Sequence, residues 1–207
     1  MCVGMLMLSS VSHAELINAD WFQGDGKAAL DTNTNKGWLD FTQTSGYSMA
    51  SIAPELEAGG IFDGWRLPSR AEVDEFFVTY MPSWSLTDGD KDVRKKIGSG
   101  ELRYQNGDVM AFRNALGYRY SYYTSTSSRG LQTRGWLRGD DGNVVLTGAY
   151  RHHYWNGPYD EVYQSYSANG AYTENSSNSL TGVWLVAATG DVRLGGENGL
   201  RADVNAE

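Results

Sequence analysis

The first residues whose spacing suggests chemistry are three alternating aspartates, Asp88, Asp90 and Asp92. Hard carboxylate oxygens at this spacing occupy the first ligand positions of a calcium-binding loop. The glycine expected after them is replaced by Val93, and the closing bidentate glutamate is not at its place. The sequence therefore leaves two interpretations of this stretch, a calcium site and a solvated acidic loop.

Two adjacent histidines, His152 and His153, are the only imidazoles after residue 14. With Asp160 and Glu161 nearby, they are candidates for general acid–base catalysis. Neighbouring residues of a strand face opposite sides, so these rings do not easily chelate one metal ion together. No serine elbow, zinc-protease motif or phosphate loop accompanies them. We interpret both as exposed loop histidines and predict that the protein is not an enzyme.

Aromatic residues crowd the polar segment 151–181, which shows little hydrophobic period. We predict a long loop here, and long loops are commonly functional. Tyrosine and tryptophan offer an apolar face with a polar tip, which suits sugar or protein surfaces. The candidate ligand-binding residues are Tyr154, Trp155, Asn156, Tyr159, Tyr163 and Tyr166. For the tyrosines of segment 118–123, packing on a sheet face and surface recognition remain equal alternatives.

Charge and cysteine content exclude several classes of function. The net charge is −8, and the one basic cluster, Arg94–Lys96, is flanked by acidic residues. A nucleic-acid partner is not expected, because phosphate binding requires a basic face. The one cysteine, Cys2, precedes residue 14. The chain after that point therefore forms neither disulfides nor cysteine-ligated metal sites.

The ends of the chain differ in character from its middle. Residues 1–14 are apolar and finish in small residues, which predicts most of a secretory signal peptide. We expect a folded domain over residues 15–188 and a flexible, Gly-rich tail over residues 189–207. The tail contains no apolar run that would anchor it in a membrane. A secreted or periplasmic protein is therefore expected.

The stretch Gly59–Phe77 carries the strongest local signals for structure. A short strand, Trp65–Leu67, ends at Pro68, and Ser69 and Glu72 then have the spacing of a helix capping box. Apolar residues follow on one helical face, at positions 73, 76, 77 and 80. Other expectations are a first helix capped by Thr44 or Ser45 and kinked or ended by Pro54, and core positions for Trp38, Trp65, Trp136 and Trp184.

Strand signals surround these helices. Three short strands are predicted at Leu16–Phe22, Lys27–Asp31 and Gly37–Phe41. Hairpins are predicted about the Asn-Gly turn at 106–107 and about Gly139–Gly142, and Val183–Ala187 reads as a strand buried on both faces. The predicted fold class is α+β, with two helices packed on a short antiparallel sheet and long loops.

The segment Gly64–Ser69, with the sequence GWRLPS, resembles the C-type-lectin-like superfamily. The exported bacterial branches are most similar, namely the Lcl C-terminal domain family and a domain of PEP-CTERM-associated proteins. Gly37–Asp40 and Gly182–Val186 match as well, and the resemblance covers roughly residues 16–188. It implies a C-type-lectin-like fold in which the first and last strands pair, here Leu16–Phe22 with Val183–Ala187.

Two activities of the superfamily are not implied. Formylglycine-generating relatives use cysteines, which the chain after residue 14 lacks. Sugar-binding lectins hold calcium with Glu-Pro-Asn or Gln-Pro-Asp and with Trp-Asn-Asp, whereas only Trp155-Asn156-Gly157 occurs here. Calcium-dependent sugar binding and a bound cofactor are therefore not expected, and Asp88, Asp90 and Asp92 remain the candidate calcium ligands.

The leading hypothesis is an exported, non-enzymatic recognition domain that binds a glycan or protein at the cell surface. A fixed fold that presents variable loops is a common arrangement for recognition. The alternative is a structural or extracellular-matrix component that uses its aromatic surface for assembly, and a hydrolase is the third hypothesis. None of these three hypotheses includes a nucleic-acid partner or a membrane anchor.

Overall fold

The computed structural model describes residues 14–80, 93–97, 107–123, 128–153, 159–166 and 172–188. The helices are α1 (Met49–Ile52), followed directly by a 3₁₀ turn (Ala53–Leu56), α2 (Arg70–Tyr80) and α3 (Gly107–Leu116). The strands are β1 (Leu16–Ala19), β2 (Ala28–Asp31), β3 (Lys36–Leu39), β4 (Trp65–Arg66), β5 (Val93–Ile97), β6 (Arg119–Tyr123), β7 (Ser128–Arg138), β8 (Val144–His153), β9 (Tyr159–Tyr166), β10 (Gly182–Val183) and β11 (Val186–Ala187). Few helices and two largely antiparallel sheets confirm the α+β class.

The first sheet has the strand order β1-β2-β3-β11-β4. Strands β1, β2 and β3 are joined by short turns and pair antiparallel with their neighbours in sequence. Strand β11 lies between β3 and β4, where Val186 is paired with Trp38 of β3 and with Arg66 of β4. The expected pairing of the first and last strands is therefore wrong, because local hairpins give β1 its only partner in the described residues.

The second sheet has the order β10-β7-β8-β9-β5, with β6 also paired to β7. The predicted hairpin about Gly139–Gly142 is confirmed as β7 and β8. The Asp141 carboxylate accepts a hydrogen bond from the Asn143 amide at 3.0 Å, and Gly142 takes a positive φ of 81°. Such a turn needs a residue without a side chain at this φ.

Helix α2 begins as predicted. The Glu72 amide donates to the Ser69 hydroxyl at 3.2 Å, and the Ser69 amide donates to the Glu72 carboxylate at 2.8 Å, so the capping box is confirmed. At the other end, the Tyr80 hydroxyl donates to the buried Asp31 carboxylate of β2. Burial and this carboxylate raise the pKa of Tyr80 well above its usual range, so the hydroxyl stays a donor.

The first helix begins later than predicted. Its cap is Ser48, which exchanges hydrogen bonds with Ser51 in a capping box. Thr44 is instead bound to the last part of the chain, because its hydroxyl accepts from the Val183 amide at 2.8 Å and donates to the Val183 carbonyl at 3.0 Å. The α-helix ends at Ile52, just before Pro54 as expected, and the 3₁₀ turn begins at Ala53.

Two predicted strands are corrected. The hairpin about residues 106–107 is wrong, because residues 107–116 form α3, which buries Phe112, Ala115 and Leu116 at helical spacing. The run Val183–Ala187 is buried as predicted, yet it is two strands rather than one. Strand β10 pairs parallel with β7 and β11 pairs antiparallel in the first sheet, so the chain crosses between sheets at Trp184.

Two apolar clusters fill the interior, and each takes alternate residues from both sheets. The first combines α2 and α3 with Trp184 and consists of Ala29, Trp38, Phe41, Val73, Phe76, Phe77, Phe112, Ala115, Leu116, Leu137, Val145, Ala149, Trp184 and Val186. The second combines α1 with the loop before β4 and includes Ala28, Leu30, Leu39, Met49, Ile52, Phe62, Trp65, Trp136, Leu146 and Leu185. The four tryptophans predicted as core are at most 4% exposed, which confirms their placement.

Candidate functional site

The tyrosine-rich segment is partly a strand. Strand β8 runs on to His153, and Tyr159–Tyr166 form β9, so the prediction of a continuous loop from 151 to 181 is wrong. The interpretation of His152 and His153 as loop residues is wrong for the same reason. The signal was missed because β9, YDEVYQSY, is polar at most positions and shows no apolar alternation. Strand β9 is instead defined by its backbone pairing, with β8 on one side and β5 on the other.

The strand register brings three predicted ligand-binding positions together. Tyr159 lies opposite His152 and Tyr163 opposite Gly148, and after a register shift Tyr166 lies opposite Leu146. Directly paired residues occupy the same face of a sheet, and alternate residues of β8 also share one face. We call these three backbone positions, 159, 163 and 166, the tyrosine row.

Strand β5 adds basic positions to the same face. It forms an edge of the described second sheet, and its pairing sets Arg94 opposite Tyr163 and Lys96 opposite Glu161. The basic cluster noted in the sequence therefore borders the tyrosine row. Aromatic and cationic residues in adjacent columns are a composition typical of recognition surfaces.

Gly148 permits this arrangement. Its φ is +144°, and a Cβ added there would overlap the Thr133 carbonyl and the Arg134 backbone. Only glycine allows β7 and β8 to approach so closely with this backbone conformation. The register shift beside Gly148 also keeps Tyr166 on the face of Tyr163, because one residue on β8, Thr147, lies opposite two on β9, Gln164 and Ser165.

The remaining predicted site residues lie outside the described residues. These are Tyr154, Trp155 and Asn156 of the ligand-binding set, and Asp88, Asp90 and Asp92 of the calcium hypothesis. In the described ranges, no three His, Asp or Glu side chains converge to hold a metal ion. Over the same ranges the helices are too short or too polar for a membrane-spanning segment.

Sequence reasoning missed an aromatic surface on the turn that follows the first strand of the first sheet. Strand β1 ends at Ala19, so Trp21 and Phe22 lie in the following turn rather than in the predicted strand. The Trp21 ring stacks on Phe62 at 5.4 Å between centroids and lies 4.6 Å from Phe22, which is 57% exposed. The sequence feature that could have revealed this surface is the pair of adjacent aromatic residues before the Gly-Asp-Gly turn at 24–26.

Charge is concentrated where the GWRLPS segment meets α2. The Arg66 guanidinium donates to both Glu72 oxygens, at 2.9 and 2.7 Å, and Lys36 lies 3.3 Å from the same carboxylate. Arg66 thus acts as a structural hydrogen-bond donor beside the start of α2. The hydrogen bonds from Arg66, with help from the Ser69 amide and Lys36, lower the pKa of Glu72 to about 2.

This pair is expected to make stability depend on pH in the acid range. The pKa of Glu72 is about 2 in the folded chain against an ordinary value of 4.5, so its contribution is complete above 4.5 and is lost as the pH falls towards 2. Since Arg66 is 42% exposed, we expect the contribution to be about 1–2 kcal/mol. Urea unfolding of wild type and Glu72→Gln should differ by that amount at pH 6 and converge near pH 2.

The control is Glu75→Gln on the same helix. The Glu75 carboxylate is 52% exposed and lies 3.6 Å from Lys36. An exposed pair of this kind contributes little, so we expect a difference below about 0.5 kcal/mol. A Glu72→Gln difference that stays constant from pH 6 to pH 2 would contradict the role of the ionised carboxylate.

Comparison of the chain with protein-family models, with curated proteins and with solved structures gives no match.

Proposed function

We propose that this protein is an exported, non-enzymatic recognition domain of the C-type-lectin-like class. In this proposal, residues 15–188 form a domain, secreted or periplasmic, that binds a glycan or protein at the cell surface through the tyrosine row. The GWRLPS segment supports the class, since it leads from β4 into a capped α2. The proposal requires no cofactor, and any calcium would bind at Asp88, Asp90 and Asp92.

The strand register carries the proposal for the binding surface. It sets positions 159, 163 and 166 on one face and borders them with Arg94 and Lys96 of β5. At its Tyr166 end the row reaches the second apolar cluster, because the paired residue Leu146 is buried there, so positions 159 and 163 carry the proposed contact. Tyrosines on a strand have their backbone fixed before a ligand arrives, so binding loses less conformational entropy than it would on a free loop. Phenol rings stack on sugars and on apolar protein anchors, while their hydroxyls hydrogen-bond to polar groups.

The test compares the binding of Tyr159→Ala/Tyr163→Ala and wild type to a polysaccharide and glycan panel by affinity electrophoresis. We expect the affinity read from the retardation to fall by about 5- to 150-fold in the double variant, since each of the two aromatic contacts contributes about 0.5–1.5 kcal/mol. Tyr118→Ala is the matched control, because Tyr118 is exposed and lies outside the tyrosine row. Repeating the titration in EDTA tests the calcium hypothesis separately.

Other outcomes would favour the alternatives. Oligomers that grow with concentration, without affinity for glycans or cell-surface proteins, would favour a structural or matrix component. Hydrolysis abolished by His152→Ala or His153→Ala would favour an enzyme. Retained binding in the double variant, with an unchanged melting temperature, would overturn the tyrosine row as the binding surface.

A further inference from the structure

An exposed apolar patch lies on the turn after β1 and the loop before β4, outside the strands that carry the tyrosine row. We call it the Trp21 patch, and it consists of Trp21, Phe22 and Ile61. Phe22 and Ile61 are 57% and 58% exposed, and Trp21 is half-buried against Phe62. Large apolar side chains grouped at the surface commonly mark an interaction site.

The first half of the patch stands on a turn with a fixed backbone. The Asp25 carboxylate accepts hydrogen bonds from the Trp21 and Phe22 amides, each at 3.0 Å. The Asp20 carboxylate accepts from two glycine amides of the same turn, at 2.7 and 2.9 Å. The turn therefore holds Phe22 in place before any partner binds, which lowers the entropic cost of association.

The second half is fixed in the same way. The Ile61 amide donates to the Glu55 carboxylate at 3.2 Å, and the Gly59 amide donates to the Asp63 carboxylate at 3.0 Å. Trp21 links the two loops, because its ring stacks on Phe62, which follows Ile61 in the chain. Two loops held by hydrogen bonds thus each present one exposed apolar side chain, and the Trp21–Phe62 contact joins the loops.

The rim of the patch is acidic. Four carboxylates, of Asp20, Asp25, Glu55 and Asp63, hydrogen-bond to the backbone of its two loops. Within the described ranges none of the four is in a salt bridge with Lys or Arg. An apolar centre with an acidic rim is complementary to an apolar anchor flanked by basic residues.

We propose that the Trp21 patch binds a segment of another protein that carries a large apolar anchor flanked by Lys or Arg. A symmetric contact with a second copy is disfavoured, because a twofold axis would bring the four carboxylates against the same four. A sugar is disfavoured too, because the aliphatic Ile61 offers no stacking face. This surface is independent of the tyrosine row, so either assignment can fail without the other.

The test uses a random dodecapeptide library displayed on phage and the full-length protein. We expect selection to enrich peptides with an aromatic or large aliphatic residue between Lys or Arg residues. The dissociation constant of the best synthetic peptide should rise at least tenfold in Phe22→Ser/Ile61→Ser. It should also rise with salt, because charge contributes to the contact.

Val78→Ser is the matched control. Val78 is an apolar residue that is 59% exposed, about the same fraction as in the substituted pair, yet it lies on α2. We expect this variant to bind the peptide like wild type, and all three proteins should melt within a few degrees of one another. Equal loss of binding in Val78→Ser would overturn the assignment.

Four further results would also overturn it. One is the enrichment of acidic or purely polar peptides, and another is unchanged peptide affinity in Phe22→Ser/Ile61→Ser. The third is a concentration-dependent dimer in sedimentation that this variant abolishes, since the patch would then be a contact between copies. Glycan binding lost in this variant but not in Tyr159→Ala/Tyr163→Ala would assign the patch to sugars instead.

Discussion

Replacement of Trp184 by alanine is expected to lower the free energy of unfolding by about 3–5 kcal/mol, a large part of the total stability of a typical protein. Trp184 is 1% exposed and lies at the junction of the two sheets. Its ring centroid is 4.8 Å from Phe41 and 5.5 Å from Trp38, and its Nε1 donates to the Thr147 carbonyl at 3.2 Å. Alanine removes these contacts and leaves a cavity in the first apolar cluster. Urea unfolding followed by circular dichroism measures the loss.

Two further variants serve as comparisons for the loss expected in Trp184→Ala. Trp184→Phe keeps an aromatic ring but loses volume and the hydrogen bond, so its loss should be smaller, about 1–2 kcal/mol. Phe22→Ala removes an aromatic residue that is mostly exposed and should stay within about 0.5 kcal/mol of wild type. A Trp184→Ala protein as stable as Phe22→Ala would show that the sheets do not meet at this residue.

Gly148→Ala is expected to cost about 3 kcal/mol or more. The left-handed backbone accounts for about 1–2 kcal/mol of this loss, and overlap of the new Cβ with the backbone of β7 accounts for the rest. The affected atoms are the Thr133 carbonyl and the Arg134 Cα, neither of which can rotate away. Thermal and urea unfolding should both show the destabilisation.

The control for this variant lies in the same hairpin. Gly142 also has a positive φ, of 81°, but a Cβ there would meet nothing within 4 Å. Gly142→Ala therefore measures the backbone effect alone, about 1–2 kcal/mol. Equal losses in the two variants would contradict the close approach of β7 and β8 at Gly148.

The parts of the fold that sequence predicted depend on neighbours in the chain. The cap of α2 needs only Ser69 and Glu72, three residues apart, and both hydrogen bonds are present. The β7–β8 hairpin follows from a turn of four residues between two apolar runs. Such signals are visible because the interacting residues are read together.

The parts that sequence missed depend on distant residues. Thr44 has the chemistry of a helix cap, but Val183, 139 positions away, uses its hydroxyl. The run Val183–Ala187 looks like one strand, and its division between two sheets is set by Trp136 on one side and Trp38 on the other. The helix α3 was hidden by an Asn-Gly pair that typically marks a hairpin turn.

The candidate sites also depend partly on residue types that the sequence shows and partly on contacts between distant residues. Tyrosines 159, 163 and 166 were selected by residue type, and their shared face follows from a register shift that no local pattern reveals. The Trp21 patch was overlooked because Trp21 and Phe22 read as the end of a strand. Their exposure becomes visible only with Asp25 and Phe62 in place.

The position of β11 has a consequence for how the chain folds. Because β11 lies between β3 and β4, the first sheet remains divided until almost the last described residues have been made. Contacts between residues so far apart raise the contact order and slow folding, since the loop must close before the contact is gained. A nascent or truncated chain that lacks residues 182–187 would leave the edges of β3 and β4 open to pairing with other chains. The order of strands thus makes the end of the domain the step that completes the fold.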